Sequence, residues 1–111
     1  MTNTQLTVII PVFNEINTIE SLLIKVLKNI IDKQIIVVDD HSSDGTRELL
    51  INQFKNKIDK IIFHQKNLGK GAAIKSAQKY IIGKYTIIQD ADLEYDPSDY
   101  LLLINEAEKN K

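Results

Sequence analysis

Cysteine is absent from the 111 residues, which excludes disulfides and thiolate metal sites and fits a reducing compartment. No charged start leads into an apolar run, and no apolar stretch approaches the ~20 residues that cross a bilayer. A cytoplasmic chain without a transmembrane segment is expected. An excess of either charge is missing too: 14 basic and 15 acidic side chains leave a net charge of −1. Such a balance gives no general attraction to nucleic acid or to an anionic membrane surface, so a phosphate-bearing partner must be held by a local site. His41 and His64 lack a second His or Cys at metal-ligand spacing and read as plain polar residues. Repeats, low-complexity tracts and linkers are missing as well, and the length and 43% hydrophobic content suit one compact domain.

What is present is a regular alternation. Leu6 to Val12 is a β-branched apolar run, the mark of a strand buried on both faces, with Pro11 at its end. From Ile16 the apolar residues recur at helical spacing, and Asn17 with Glu20 has the form of a capping box, predicting a helix from Thr18 to Ile31. Gln34 to Val38 repeats the buried-strand signature and runs into Asp39 and Asp40, with Ser43 or Asp44 placed to cap a helix from Thr46. A third strand is expected at Lys60 to His64, then a helix opened by Gly69-Lys70-Gly71 and closed by Gly83 as a left-handed C-cap. Tyr85 to Gln89 is the fourth strand, and Pro97, capped by Asp96, starts the last helix.

Four strand–helix units predict an α/β fold, a doubly wound, mostly parallel sheet of order 3-2-1-4 with helices on both faces. The winding reverses between strands 1 and 4, and ligands bind at such a switch point, outside the carboxyl ends of the strands. The loops placed there each carry a carboxylate: Glu15, the Asp39-Asp40 pair, and the alternating Asp90, Asp92, Glu94 and Asp96. Carboxylates so crowded resist joint ionisation unless a cation sits among them, and a divalent ion carrying a nucleotide diphosphate meets that need. Gly69-Lys70-Gly71 matches neither the phosphate-loop pattern nor G-x-G-x-x-G, and by itself reads as a close-packing turn. Tyr95 and Tyr100 read as packing residues.

P-V-F-N-E after strand 1, V-V-D-D-H-S-S-D-G-T after strand 2, N-L-G-K-G-A-A before helix 3 and Q-D-A-D-L-E-Y-D-P after strand 4 together resemble the family 2 glycosyltransferases of the GT-A fold. The closest likeness is to bacterial enzymes akin to dolichyl-phosphate mannosyltransferase and polyprenyl-phosphate glucosyltransferase. The resemblance implies that Pro11, Phe13 and Glu15 line the base and ribose of a nucleotide, with Phe13 where a Tyr is usual. It implies that Asp40 accepts from the ring N–H of uracil or guanine, that Ala91 lies against the ribose, and that Lys70 is near the nucleotide. Asp90 and Asp92 take the place of the pair that grips Mg²⁺ or Mn²⁺, with Glu94 as a third ligand; Asp92 then serves catalysis through the metal. Inverting transfer from a UDP- or GDP-sugar to a lipid-phosphate or glycan acceptor is expected. Residues 1–111 correspond to the donor-binding half, so any general base and the acceptor site belong to parts outside this chain, and the full-length enzyme is placed at the cytoplasmic face of the membrane. Strand 4, left as a sheet edge, predicts self-association. Two other classes stand beside this one: a nucleotidyltransferase-like enzyme, which would carry a Gly- and Arg-rich loop after strand 1, and a receiver-like module, which wants its acidic pair there.

Overall fold

The computed structural model describes residues 4–29, 31–91 and 96–109. Strands β1 (Leu6–Val12), β2 (Lys33–Asp39), β3 (Lys60–Phe63) and β4 (Tyr85–Ile88) alternate with helices α1 (Ile19–Lys28), α2 (Thr46–Leu49, continued as a π-turn over Leu50–Phe54), α3 (Lys70–Gln78) and α4 (Tyr100–Lys109). The sheet has the order β3-β2-β1-β4, and every pair is parallel. This is the expected topology.

All seven residues of β1 are buried, as a central parallel strand requires. Alternation splits the core into two layers. Val8, Ile10 and Val12 join Ile35 and Val37 against α1, the α2 segment and α4, whereas Ile9, Ile36 and Val38 meet Ala73 and Ala77 of α3 on the other face. The small alanines let α3 sit close, and among the described residues it is the only α-helix on that face. Pro11 lies inside β1, one residue short of its end. Ile9 accepts from Gln89 N. Pro11, two residues on, points the same way past the end of β4, so its missing N–H costs no ladder bond.

Three local expectations are corrected. The capping box at Asn17 and Glu20 does not form: α1 starts at Ile19, Thr18 is the N-cap but its side chain caps no helix amide, and the amides of Thr18 and Ile19 turn to the Glu15 carbonyl. Helix α2 has Gly45 as N-cap, although Asp44 does accept from Thr46 N at 3.0 Å. Gly83 is no left-handed cap, since α3 ends at Gln78 and Gly83 has no positive φ. Its reason is space: a Cβ there would lie 2.5 Å from Thr7 N and 2.6 Å from the Leu6 carbonyl carbon. The expected start of the last helix holds, with Pro97 opening a 3-10 turn and Asp96 accepting from Ser98 N.

Candidate functional site

The strand ends at the switch point are tied together by side chains. The loop after β1 is stitched to the loop after β2 by four bonds: Asn14 N to Ser42 Oγ (2.9 Å), Ser43 N to Asn14 Oδ1 (2.8 Å), Glu15 N to Thr46 Oγ1 (3.1 Å) and Ile16 N to Asp44 Oδ2 (3.1 Å). Asn14 and His41 both take the left-handed conformation in these loops, with φ of 53° and 67°; short polar side chains are the ones that tolerate it. Burial pushes the Asp44 carboxyl up, but the hydroxyl and amide of Thr46 and the amide of Ile16 outweigh it and hold it below the usual range.

Asp40 links β2 to the loop before α3. Its carboxylate receives Leu68 N on Oδ1 and Gly69 N on Oδ2, both at 2.8 Å, and His64 Nδ1 approaches Oδ1 at 2.8 Å. Burial raises the Asp40 carboxyl, yet the two amides and His64 win and it lies below the ordinary carboxylate value. An ionised carboxylate only accepts, so His64 carries its proton on Nδ1, and in the neutral ring Nε2 accepts from Ser76, 2.8 Å away. His64 is therefore a buried bridge between β2 and α3, not the plain polar residue expected of it. The register explains the meeting: Asp39 pairs with Phe63, so the next residues of the two strands face each other. Asp39 itself is fully buried; Oδ2 accepts from Ser42 N, and Oδ1 has no partner among the described residues.

The loop so held delivers Lys70, the first residue of α3, to Asp90 at the end of β4, where ammonium and carboxylate form an ion pair. Asp90 follows Gln89, which is buried, takes the Tyr100 hydroxyl on Oε1 at 2.7 Å and bonds its own backbone to Ile9. Tyr100 is thus a packing residue with one polar anchor. Ala91 is buried, and its carbonyl lies 2.8 Å from the Thr18 hydroxyl, which is also 3.1 Å from Glu15 Oε2. Glu15, Thr18 and Ala91 therefore meet at the mouth between β1 and β4, while Phe13 is exposed and Pro11 buried.

Of the expected site residues the structure brings Glu15 and Ala91 together, and separately Asp40, Lys70 and Asp90. Asp92, Glu94 and Tyr95 lie outside the described residues. Among the described residues no group of three His, Cys, Asp or Glu side chains is placed to hold a metal ion. His64, Ser76 and Thr18 are site residues that sequence reasoning missed, since each acts on a partner distant in the chain.

Residues 7–111 match the model of Glycosyl transferase family 2. An uncharacterized glycosyltransferase of Rickettsia conorii is 41% identical over 96 residues, covering 83% of this chain and 15% of that protein. Dolichyl-phosphate beta-glucosyltransferase of Saccharomyces cerevisiae is 33% identical over 115 residues, covering 94% of this chain and 34% of the yeast protein. Among solved structures, a mannosyltransferase from Pyrobaculum calidifontis in complex with GDP-Man and Mn²⁺ superposes with a TM-score of 0.78 at 25% identity, over 96% of this chain and 32% of the other. S. aureus TarS in complex with UDP-GlcNAc shares the fold, with a TM-score of 0.75 at 24% identity over 96% of this chain and 31% of its own. The chain thus spans about a third or less of the length of these proteins.

Proposed function

The chain belongs to glycosyl transferase family 2, and from that premise we propose that it forms the donor site for inverting transfer of a sugar from a UDP- or GDP-sugar to an acceptor. The observation that carries this reading is that side chains tie the loop after β1 to the loop after β2 and to Ala91 beyond β4, with Lys70 paired to Asp90 at the same end of the sheet. Family neighbours solved with GDP-Man and with UDP-GlcNAc support both the donor class and the choice of two bases. A polyprenyl or dolichyl phosphate is the proposed acceptor, supported by the name of the yeast relative. Its phosphate oxygen is already an anion, so a strong general base is less needed. We assign acceptor binding to parts outside residues 1–111, because the chain spans 34% or less of the relatives reported above.

Pro11, Phe13, Glu15 and Ala91 would bound the base and ribose. Among the described residues Asp40 Oδ2 accepts Gly69 N alone, which leaves a lone pair for the ring N–H of uracil or guanine. Asp90, Asp92 and Glu94 would hold a divalent cation. They fit one: all are carboxylates, the hard donors that Mg²⁺ and Mn²⁺ take, and Asp90 already attracts a cationic group. When bound, Mg²⁺ or Mn²⁺ supplies charge stabilisation to the leaving diphosphate, worth several kcal/mol. Lys70 adds a positive charge from the protein at the same place, and the Asp40 clamp on its loop fixes it before the donor arrives.

A thermal-shift panel of UDP, GDP, ADP and NAD, with and without Mn²⁺, tests the reading. Ligand at a hundredfold its dissociation constant adds about 2.7 kcal/mol, moving the midpoint of a domain this small by roughly ten degrees. A metal-dependent shift with UDP or GDP that disappears in Asp92→Asn is expected; a shift with NAD alone would sink the proposal. Sugar transfer by these residues unaided would overturn the placement of the acceptor site elsewhere.

A further inference from the structure

The net charge of −1 hides a strong asymmetry. From Lys60 to Gln89 the chain carries six lysines and not one acidic residue, and all six lysines are exposed. Lys70 and Lys84 are paired with Asp90 and Glu108. Lys60, Lys66, Lys75 and Lys79 form no ion pair with an acid among the described residues. Their placement is one-sided. Ala73 and Ala77 are the buried side of α3, and Lys75 and Lys79, two residues further on, stand about 200° round the helix, facing outward. Lys60 comes from the edge strand to the same place, its ammonium 4.6 Å from the Tyr80 ring centroid while that of Lys79 lies at 5.4 Å. Lys66 stands exposed in the loop before the helix. Two aliphatic side chains flank it, Leu68 before α3 and Ile82 after it, 49% and 51% exposed.

We propose that the outer face of α3 is a membrane-docking surface that takes the anionic headgroups of a phospholipid bilayer. Charge complementarity selects an anionic partner, and the chemistry of the face selects lipid over nucleic acid. Lysine is a compact point charge suited to a diffuse anionic surface, whereas planar bidentate recognition of phosphate favours arginine; the one arginine, Arg47, lies elsewhere over Phe63. Single strands need an exposed aromatic for base stacking, and Tyr80 is half-buried under the two ammonium groups. Leu68 and Ile82, useless to a nucleic acid, enter the headgroup boundary of a bilayer as the lysine stems snorkel around them. Of this surface only Leu68 meets the donor site, through its backbone amide on Asp40, so the four lysines test it independently of the donor reading.

Co-sedimentation with vesicles of three parts phosphatidylcholine to one part phosphatidylglycerol, against phosphatidylcholine alone, tests it. The protein should partition onto the anionic vesicles at low ionic strength and less at physiological ionic strength. Each surface lysine contributes about five-fold, so Lys66→Gln, Lys75→Gln and Lys79→Gln together should weaken retention by about a hundred-fold. The triple Lys25→Gln, Lys28→Gln and Lys109→Gln, with the same net charge but on α1 and α4, should leave retention unchanged. No preference for anionic vesicles, or equal loss in both triples, would overturn the proposal. So would release of the protein from vesicles by a DNA oligonucleotide at equal phosphate concentration, which would assign the face to nucleic acid.

Discussion

Asp40 ends the run of β2 and receives the amides of Leu68 and Gly69 together with the imidazole of His64, so one buried carboxylate sets the path of the chain into α3. Removing it leaves two amides and a ring N–H without an acceptor. Asp40→Ala is expected to cost about 2–4 kcal/mol, read as a fall in the urea midpoint at unchanged slope. The pH dependence follows from the lowered carboxyl. A group whose folded value is depressed contributes in full above the unfolded value of about 4, and that contribution is lost as the pH falls through the folded value. Asp40→Asn should therefore flatten the acid limb of the stability curve, and an unchanged limb below about pH 4 would count against the clamp. This part of the site was hidden from sequence reasoning for a physical reason. Asp40, His64 and Ser76 are 24 and 12 residues apart and carry no metal-ligand spacing; only the β2–β3 register makes them neighbours. Glu15, Asp40 and Asp90 were legible because each lies within three residues of the end of a strand whose direction the buried runs already reveal.

Among the elements, three glycines separate three causes of glycine use. Gly83 is needed for space, and Gly83→Ala forces a Cβ onto the backbone of β1; a loss of about 2–4 kcal/mol is expected. Gly69 has nothing within 4 Å of a built Cβ, but its φ of 96° with ψ of 163° is a conformation essentially reserved for glycine. Gly69→Ala should cost about 1–3 kcal/mol and, by turning Lys70, weaken nucleotide binding as well. Gly71 sits in the first turn of α3 with open space around it and no positive φ, so Gly71→Ala should be neutral or stabilise by up to about 1 kcal/mol. Thermal midpoints of the three variants give the ranking, and a destabilised Gly71→Ala would break it. Strands were read well because a doubly buried strand has only one composition. Helix ends were read poorly, since Asn17 and Gly83 carry cap chemistry that other bonds override: the neighbouring Glu15 carbonyl takes the first amides of α1, and Thr7 Oγ1, distant in the chain, takes Gly83 N.

For the molecule as a whole, the alternation of elements and the handedness of crossovers pruned the topologies, and the order 3-2-1-4 followed as the usual one for half of a doubly wound sheet. The open edge at strand 4 was legible too; what no pattern could reveal is the surface beside it. Strand β4 is an edge, and beside it a groove of about 440 Å³ runs between the strand and α4, lined by Leu6, Tyr85, Ile87, Tyr100, Leu103 and Ile104. Leu101, Leu102 and Leu103 add exposed apolar area, 52%, 60% and 44% open. Unpaired backbone groups next to an apolar groove favour pairing with another strand. The amides of Tyr85 and Gln89 turn inward to Gln5 and Ile9, so by the alternation of the strand those of Thr86 and Ile88 turn outward. Thr86→Pro then blocks the edge without removing a ladder bond. Sedimentation velocity over a concentration series should show self-association of the wild-type chain and a monomer for Thr86→Pro. A wild-type monomer at the highest concentration would mean that the edge is protected in solution, and association that persists in Thr86→Pro would shift the contact to the leucines of α4.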